Sequence, residues 1–214
     1  TPHRDVIEGK YLQAEFAADL DQVQRGKGTL EYTDPIEFYK RTFITDGIKD
    51  LLRIALKRFN NQSDEPVIEL QTNFGGGKTH SMLALYHLCS GVSLDLLPGL
   101  DQVCSEVGIS SIPKASRAVL VGTNFNPTKI SIKPDGTEVH TIWGELAWQI
   151  GGKEGYEQII QSDKKQVAPG SHDLEILFEK HGPCLILIDE WVAYARNLVS
   201  KSDLPPGTYD AQLT

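Results

Sequence analysis

PVIELQTNFGGGKTHSMLALYHL, residues 66 to 88, runs from a short apolar segment through three consecutive glycines into Lys78-Thr79 and then an amphipathic helix pattern. A phosphate-binding loop of the form G-x-x-x-x-G-K-[ST] needs a strand before it and a helix after it. Val67 to Leu70 predicts that strand, His80 to Cys89 predicts the helix, closed near Gly91, and Gly77-Lys78-Thr79 match the end of the loop. Thr72 stands where the first glycine would, so the turn out of the strand falls to a β-branched residue. Gly75, Gly76 and Gly77 compensate, because residues without a Cβ can aim successive backbone N–H groups at an anion. The helix start adds its own free N–H groups and positive dipole end. Lys78 would then reach the β- and γ-phosphates, and Thr79 would place its hydroxyl on magnesium. The competing reading is a glycine-rich turn with an incidental lysine.

A second motif bears on that choice. In LILIDEW, Leu185 to Trp191, four apolar residues predict a buried strand whose carboxyl end carries Asp189 and Glu190. Ligands of open α/β sheets bind at that end. Asp189 suits a magnesium ligand, directly or through water, and Glu190 a base for an attacking water. Acidic residues also stop strands by capping the next helix, here WVAYARNL. Both motifs in order, each after its own strand, favour an ATP site. Adjacent Asp and Glu favour hydrolysis over phosphoryl transfer to a small molecule, and the absence of an N-K-x-D pattern favours adenine over guanine.

Between and around these motifs, strands alternate with helices. Asp34 predicts a helix N-cap with Pro35 in its first turn, and a second helix opens at Thr45 with Ile48, Leu51, Leu52, Ala55, Leu56 and Phe59 on one face, ending at Asn60-Asn61. Leu100 to Val107 and the segment from Ser171 read as helices, Ala118 to Val121 as a buried strand, and Pro134-Asp135-Gly136 as a turn. TIWGELAWQI reads as a helix stopped by Gly151-Gly152. Continuous apolar strand runs point to a parallel sheet covered on both faces, an α/β fold.

The 214 residues hold 21 basic and 29 acidic side chains, a formal charge of -8, so the chain offers no overall basic field for nucleic acid. Cys89, Cys104 and Cys184 are odd in number and without CxxC spacing, which suits reduced thiols in the cytoplasm. No apolar run has the length of a membrane span, so no membrane partner is expected. Trp143, Trp148 and Trp191 read as core or interface residues, since no basic residues interleave with them. Thr123 and Asn124 would share the sheet end of the two motifs, Glu69 is out of place in a strand buried on both faces, and Arg196 reads as a surface or packing residue.

FGGGKTH at Phe74 to His80, TIWGELAWQIGG at Thr141 to Gly152 and LILIDEWVAYAR at Leu185 to Arg196 resemble domain-of-unknown-function family four-nine-nine, large prokaryotic P-loop ATPases of anti-phage and restriction islands. PHRDVIEGKY, EYTDPIEFYKRTFITDGI and PVIELQTNFGGGKTH extend the resemblance over nearly the whole chain. It implies a three-layer, additional-strand, AAA-like P-loop fold: a helical segment over 1–62 packed on an ATPase core over 63–214. It also implies ATP and Mg2+ as ligands. Phe74, Gly75, Gly76, Gly77, Lys78, Thr79 and His80 would hold the nucleotide, Thr79 and Asp189 the metal, and Lys78 and Glu190 the catalytic roles. His80 either touches phosphate or packs at the helix start, and Ile44 and Thr45 would lie near adenine. In the additional-strand layout a sensor strand lies between the two motif strands and follows Asp189 in sequence. NLVSKSDLPPGTYDAQLT leaves no room for it, so a truncated chain is expected, with outside material or adjacent kinase-type strands as alternatives. The expected partners are ATP or ADP, other proteins or a second copy, and DNA only through further regions. A nucleotide-gated scaffold and a DNA translocase are the rival functions.

Overall fold

The computed structural model describes residues 18–63, 66–71, 77–112, 114–127 and 129–199. Four helices lead in: α1 (Leu20–Gln24), α2 (Leu30–Thr33), α3 (Pro35–Arg41) and α4 (Asp46–Phe59). Asp34 caps α3 by accepting from the Ile36 and Glu37 N–H groups, with Pro35 at its start, and Thr45 caps α4 by accepting from Ile48 N–H. These caps sit where Ser, Thr and Asp are the residues that satisfy otherwise unpaired N–H donors. Next come α5 (Lys78–Leu88) and α6 (Leu100–Glu106), then β1 (Ser116–Val121) and a small hairpin of β2 (Ser131–Ile132) and β3 (Glu138–Val139). Helices α7 (Ile142–Lys164) and α8 (Ser171–His181) precede β4 (Cys184–Asp189), and α9 (Trp191–Val199) follows it.

β1 and β4 pair in parallel, Ser116 opposite Cys184 through Val121 opposite Asp189. Alternate side chains leave the ladder on opposite faces, as strand geometry requires. Val119 and Leu187 join the larger core, which holds α1, α3, α4, α5 and α6. Ala118, Leu120 and Ile186 face the other way, against α7 and α9. The helices before residue 62 therefore share one apolar cluster with α5 and the sheet. Tyr39, on α3, adds a buried hydrogen bond of 2.7 Å to the Ala84 carbonyl of α5.

The architecture is mixed α/β with a two-stranded parallel sheet; the described residues do not build the full three-layer P-loop fold expected from the sequence. Val67 to Leu70 is not a strand. It pairs with no neighbour among the described residues, and an isolated four-residue segment cannot satisfy its backbone alone. Val67 is 79% exposed. Exposure also settles Glu69, which needs no buried partner. Gly151-Gly152 does not end its helix either. Gly152 takes a non-helical φ of 60°, after which helix resumes to Lys164, so the pair marks a kink.

Asp163, on the far half of α7, is fully buried. Its carboxylate accepts from the backbone N–H groups of His140 (2.9 Å) and Thr141 (2.8 Å). It also accepts from Thr141 Oγ1 (2.5 Å) and Tyr156 OH (2.8 Å), and His140 Nδ1 lies 3.1 Å away. The kinked helix is thereby fastened back to its own start.

His87 is another buried polar group, and it makes stability pH-dependent. Its Nε2 lies 2.8 Å from the Tyr32 carbonyl, which makes that nitrogen the donor of a neutral ring. Nδ1 is buried without a partner among the described residues, so a second proton would find no acceptor. Burial accordingly pushes the imidazole down to about 4. An unfolded histidine takes its proton near pH ~6.5. Between those values the unfolded chain binds more protons, so this contribution is full above pH ~6.5 and is lost as pH falls toward 4. The expected loss is about 2 kcal/mol at pH ~5 relative to pH ~7. Urea unfolding at both pH values should show it, with a flatter dependence in His87→Gln.

Candidate functional site

Helix α5 opens without a side-chain cap. Its N-cap residue, Gly77, has φ 75° and ψ 19°, a left-handed conformation that favours glycine. Ser81 donates its own hydroxyl to the Gly77 carbonyl at 3.0 Å, so it does not cap the first-turn N–H groups, which among the described residues meet no side-chain acceptor. The exposed Lys78 ammonium and the half-buried Thr79 hydroxyl have no partner among the described residues. Phe74, Gly75 and Gly76, with Thr72, lie outside the described residues.

His80 points into the protein. Its Nε2 is 3.1 Å from Thr42 Oγ1, and its ring lies 4.8 Å from that of Phe38. Burial lowers its pKa. Its ring is thus packed between Thr42 and Phe38 at the start of α5. Ile44 rests against Gly99, where an added Cβ would meet its Cδ1 at 2.8 Å, and Thr45 serves as the α4 cap.

At the other motif, Asp189 ends β4 opposite Val121, and Glu190 follows with a φ of 52°. A left-handed non-glycine residue costs about 1–2 kcal/mol, so its neighbours must hold it there. Its N–H donates to Asp189 Oδ1 at 3.0 Å, and its carbonyl accepts from Ala193 N–H at 2.9 Å, opening α9. Gly122, the first residue past β1, makes that turn possible: a Cβ there would come within 2.1 Å of the Glu190 carbonyl oxygen. Sequence reading missed Gly122. Its only signal was a glycine at the end of an apolar strand, beside Thr123 and Asn124, which are exposed at the same sheet end.

Lys78 and Asp189 line one groove of about 710 Å³, between β4 and the segment Pro66 to Leu70. Neither Thr79 nor Glu190 lines it. The groove thus joins an ammonium group without a partner among the described residues, an uncapped helix start and a carboxylate, a set that can take an anion and a hard cation together.

A family model described as the DUF499 N-terminal domain matches residues 3–212. The chain belongs to this family. No curated protein and no solved structure matches it. The DUF499 match spans both the leading helices and the sheet with its two motifs. Among the described residues of this DUF499 domain, no group of three or more His, Cys, Asp or Glu could hold a metal by itself. No helix among the described residues is long and apolar enough to cross a membrane.

Proposed function

We propose that this DUF499 domain binds ATP with magnesium and hydrolyses it as an additional-strand, AAA-like P-loop ATPase module. The observation that carries the proposal is the shared groove: Lys78, at an uncapped helix start, and Asp189, at the carboxyl end of β4, line the same cleft. Lys78 and the first amides of α5 would neutralise the β- and γ-phosphates, while Thr79 and Asp189 would hold the ion. Bound magnesium supplies charge neutralisation across the two phosphates. Glu190 is the proposed base for the attacking water, and closure around nucleotide would have to bring it into reach. By the family resemblance, we place the module in the cytoplasm, within a larger prokaryotic defence protein.

Isothermal titration with ATP and Mg2+ tests the site. Replacing Lys78 with alanine is expected to weaken binding by about 1.5–3 kcal/mol, a ~10- to 150-fold loss, because it removes a charged hydrogen-bonding partner. Equal affinity in the two proteins would refute the site. One observation favours a second reading, a nucleotide-gated scaffold with little hydrolysis: Glu190 lies outside the groove.

A further inference from the structure

The flank of β1 away from β4 forms the floor of a second cleft, of about 720 Å³. Gln149 takes the place of a neighbouring strand there and hydrogen-bonds both backbone groups of Val119. Its amide nitrogen is also 2.9 Å from Glu145 Oε1, and Glu145 is in turn paired with Lys133. The β2–β3 hairpin and the loop before it make the walls, with Phe125, Ile130 and Ile132 among their side chains. Sites for small molecules run to roughly 300–1,000 Å³, with mostly apolar walls and a few polar groups aimed inward.

His140, just past β3, is half-buried in this cleft. Its Nδ1 is 3.1 Å from Asp163 Oδ2, and its backbone N–H donates to the same oxygen. The other groups around that carboxylate donate to it as well, so it is the acceptor. In the neutral ring Nδ1 therefore carries the proton and Nε2 the lone pair. Nε2 has no partner among the described residues. A carboxylate behind an imidazole fixes its tautomer and stabilises the imidazolium that forms when the far nitrogen takes a proton.

The other charges around the cleft narrow the substrate. Arg25 is paired with Asp21 at 3.0 Å and Lys133 with Glu145. The Lys129 ammonium and the Asn124 amide line the cleft with no side-chain partner among the described residues. One unneutralised lysine suits a neutral electrophile better than a phosphate ester, and the two groups together are donors for a carbonyl oxygen. An alcohol leaves more readily than an amine, which suits a base acting on water without a nucleophilic side chain.

We propose that this cleft is a second active site, one that hydrolyses a small, uncharged carboxylic ester with His140 as general base. Nε2 takes a proton from water as the water oxygen attacks the acyl carbon. The bond from that carbon to the alcohol oxygen breaks, and the imidazolium returns its proton to the leaving oxygen, giving a carboxylic acid and an alcohol. The proposal does not rest on the nucleotide reading, and its assay contains no nucleotide.

The test uses p-nitrophenyl butyrate and the full-length protein. Hydrolysis should saturate with substrate, and His140→Gln should lower kcat/KM about 10²- to 10⁴-fold, the contribution of a positioned base. His172→Gln, which alters an imidazole 80% exposed on α8, should leave the rate unchanged. Equal rates in wild type and His140→Gln overturn the proposal. So does a rate that rises linearly with substrate at the level of free imidazole, or one lost with His172. Long-range proton–nitrogen NMR of the wild-type protein checks the geometry without any substrate: the neutral His140 ring should carry its proton on Nδ1, and a proton on Nε2 overturns the proposal by itself.

Discussion

Glu190→Gln is expected to lower the ATP turnover of the full-length protein about 10²- to 10⁴-fold while leaving ATP affinity unchanged. The range is what a positioned general base contributes to a proton transfer. Glutamine keeps the size of the side chain and the left-handed backbone that Gly122 accommodates, so the substitution removes basicity with little else. A loss in kcat without a change in nucleotide affinity marks an interaction made in the transition state alone. Phosphate release and nucleotide titration on the same two proteins distinguish the alternatives. Equal turnover by both would remove Glu190 from the reaction. Binding by both with no turnover by either would establish the scaffold reading.

The second large effect concerns folding. Asp163→Ala should destabilise the protein by about 3–5 kcal/mol, the cost of leaving several buried donors without an acceptor. Three donors that now meet the carboxylate, two backbone N–H groups and the Thr141 hydroxyl, would lose their acceptor inside the protein, while the Tyr156 hydroxyl would keep the Glu138 carbonyl at 2.7 Å. Each buried donor left unpaired costs about 1–3 kcal/mol, and relaxation or water entry recovers part of the sum. A domain with typical stability of about 5–15 kcal/mol would lose a large share of it. Urea denaturation followed by circular dichroism reads the change, and a loss below about 1 kcal/mol would show that the network is dispensable. Gly144 belongs to the same arrangement, since a Cβ there would come within 2.3 Å of Asp163 Oδ1.

Local chemistry was legible in the sequence wherever a single residue type meets a single backbone need. Asp34-Pro35 and Thr45 announced two helix starts, and the unbroken apolar runs ending at Val121 and Asp189 announced two strands. The run at Val67 misled because strand formation depends on a neighbour, which apolar spacing does not supply. Gly151-Gly152 misled because glycine permits a kink as readily as a stop. The kink is needed for close packing: a Cβ on Gly155 would come within 2.5 Å of the Ala147 carbonyl oxygen, and one on Gly151 within 2.7 Å of the His181 ring. At the candidate site, motif spacing pointed to Lys78 and Asp189, which line one groove. The inward turn of His80 and the contact of Gly122 with Glu190 were not, because each depends on a partner distant in sequence.

The Gln149 amide has a consequence for how copies of this domain behave in a crowd. A short sheet with both margins bare could recruit one neighbour on each flank and grow without limit into a fibre. Gln149 Oε1 accepts from Val119 N–H at 2.7 Å and its Nε2 donates to the Val119 carbonyl at 2.9 Å, which interrupts pairing along the β1 flank at its middle. Substituting Gln149 would unblock that flank.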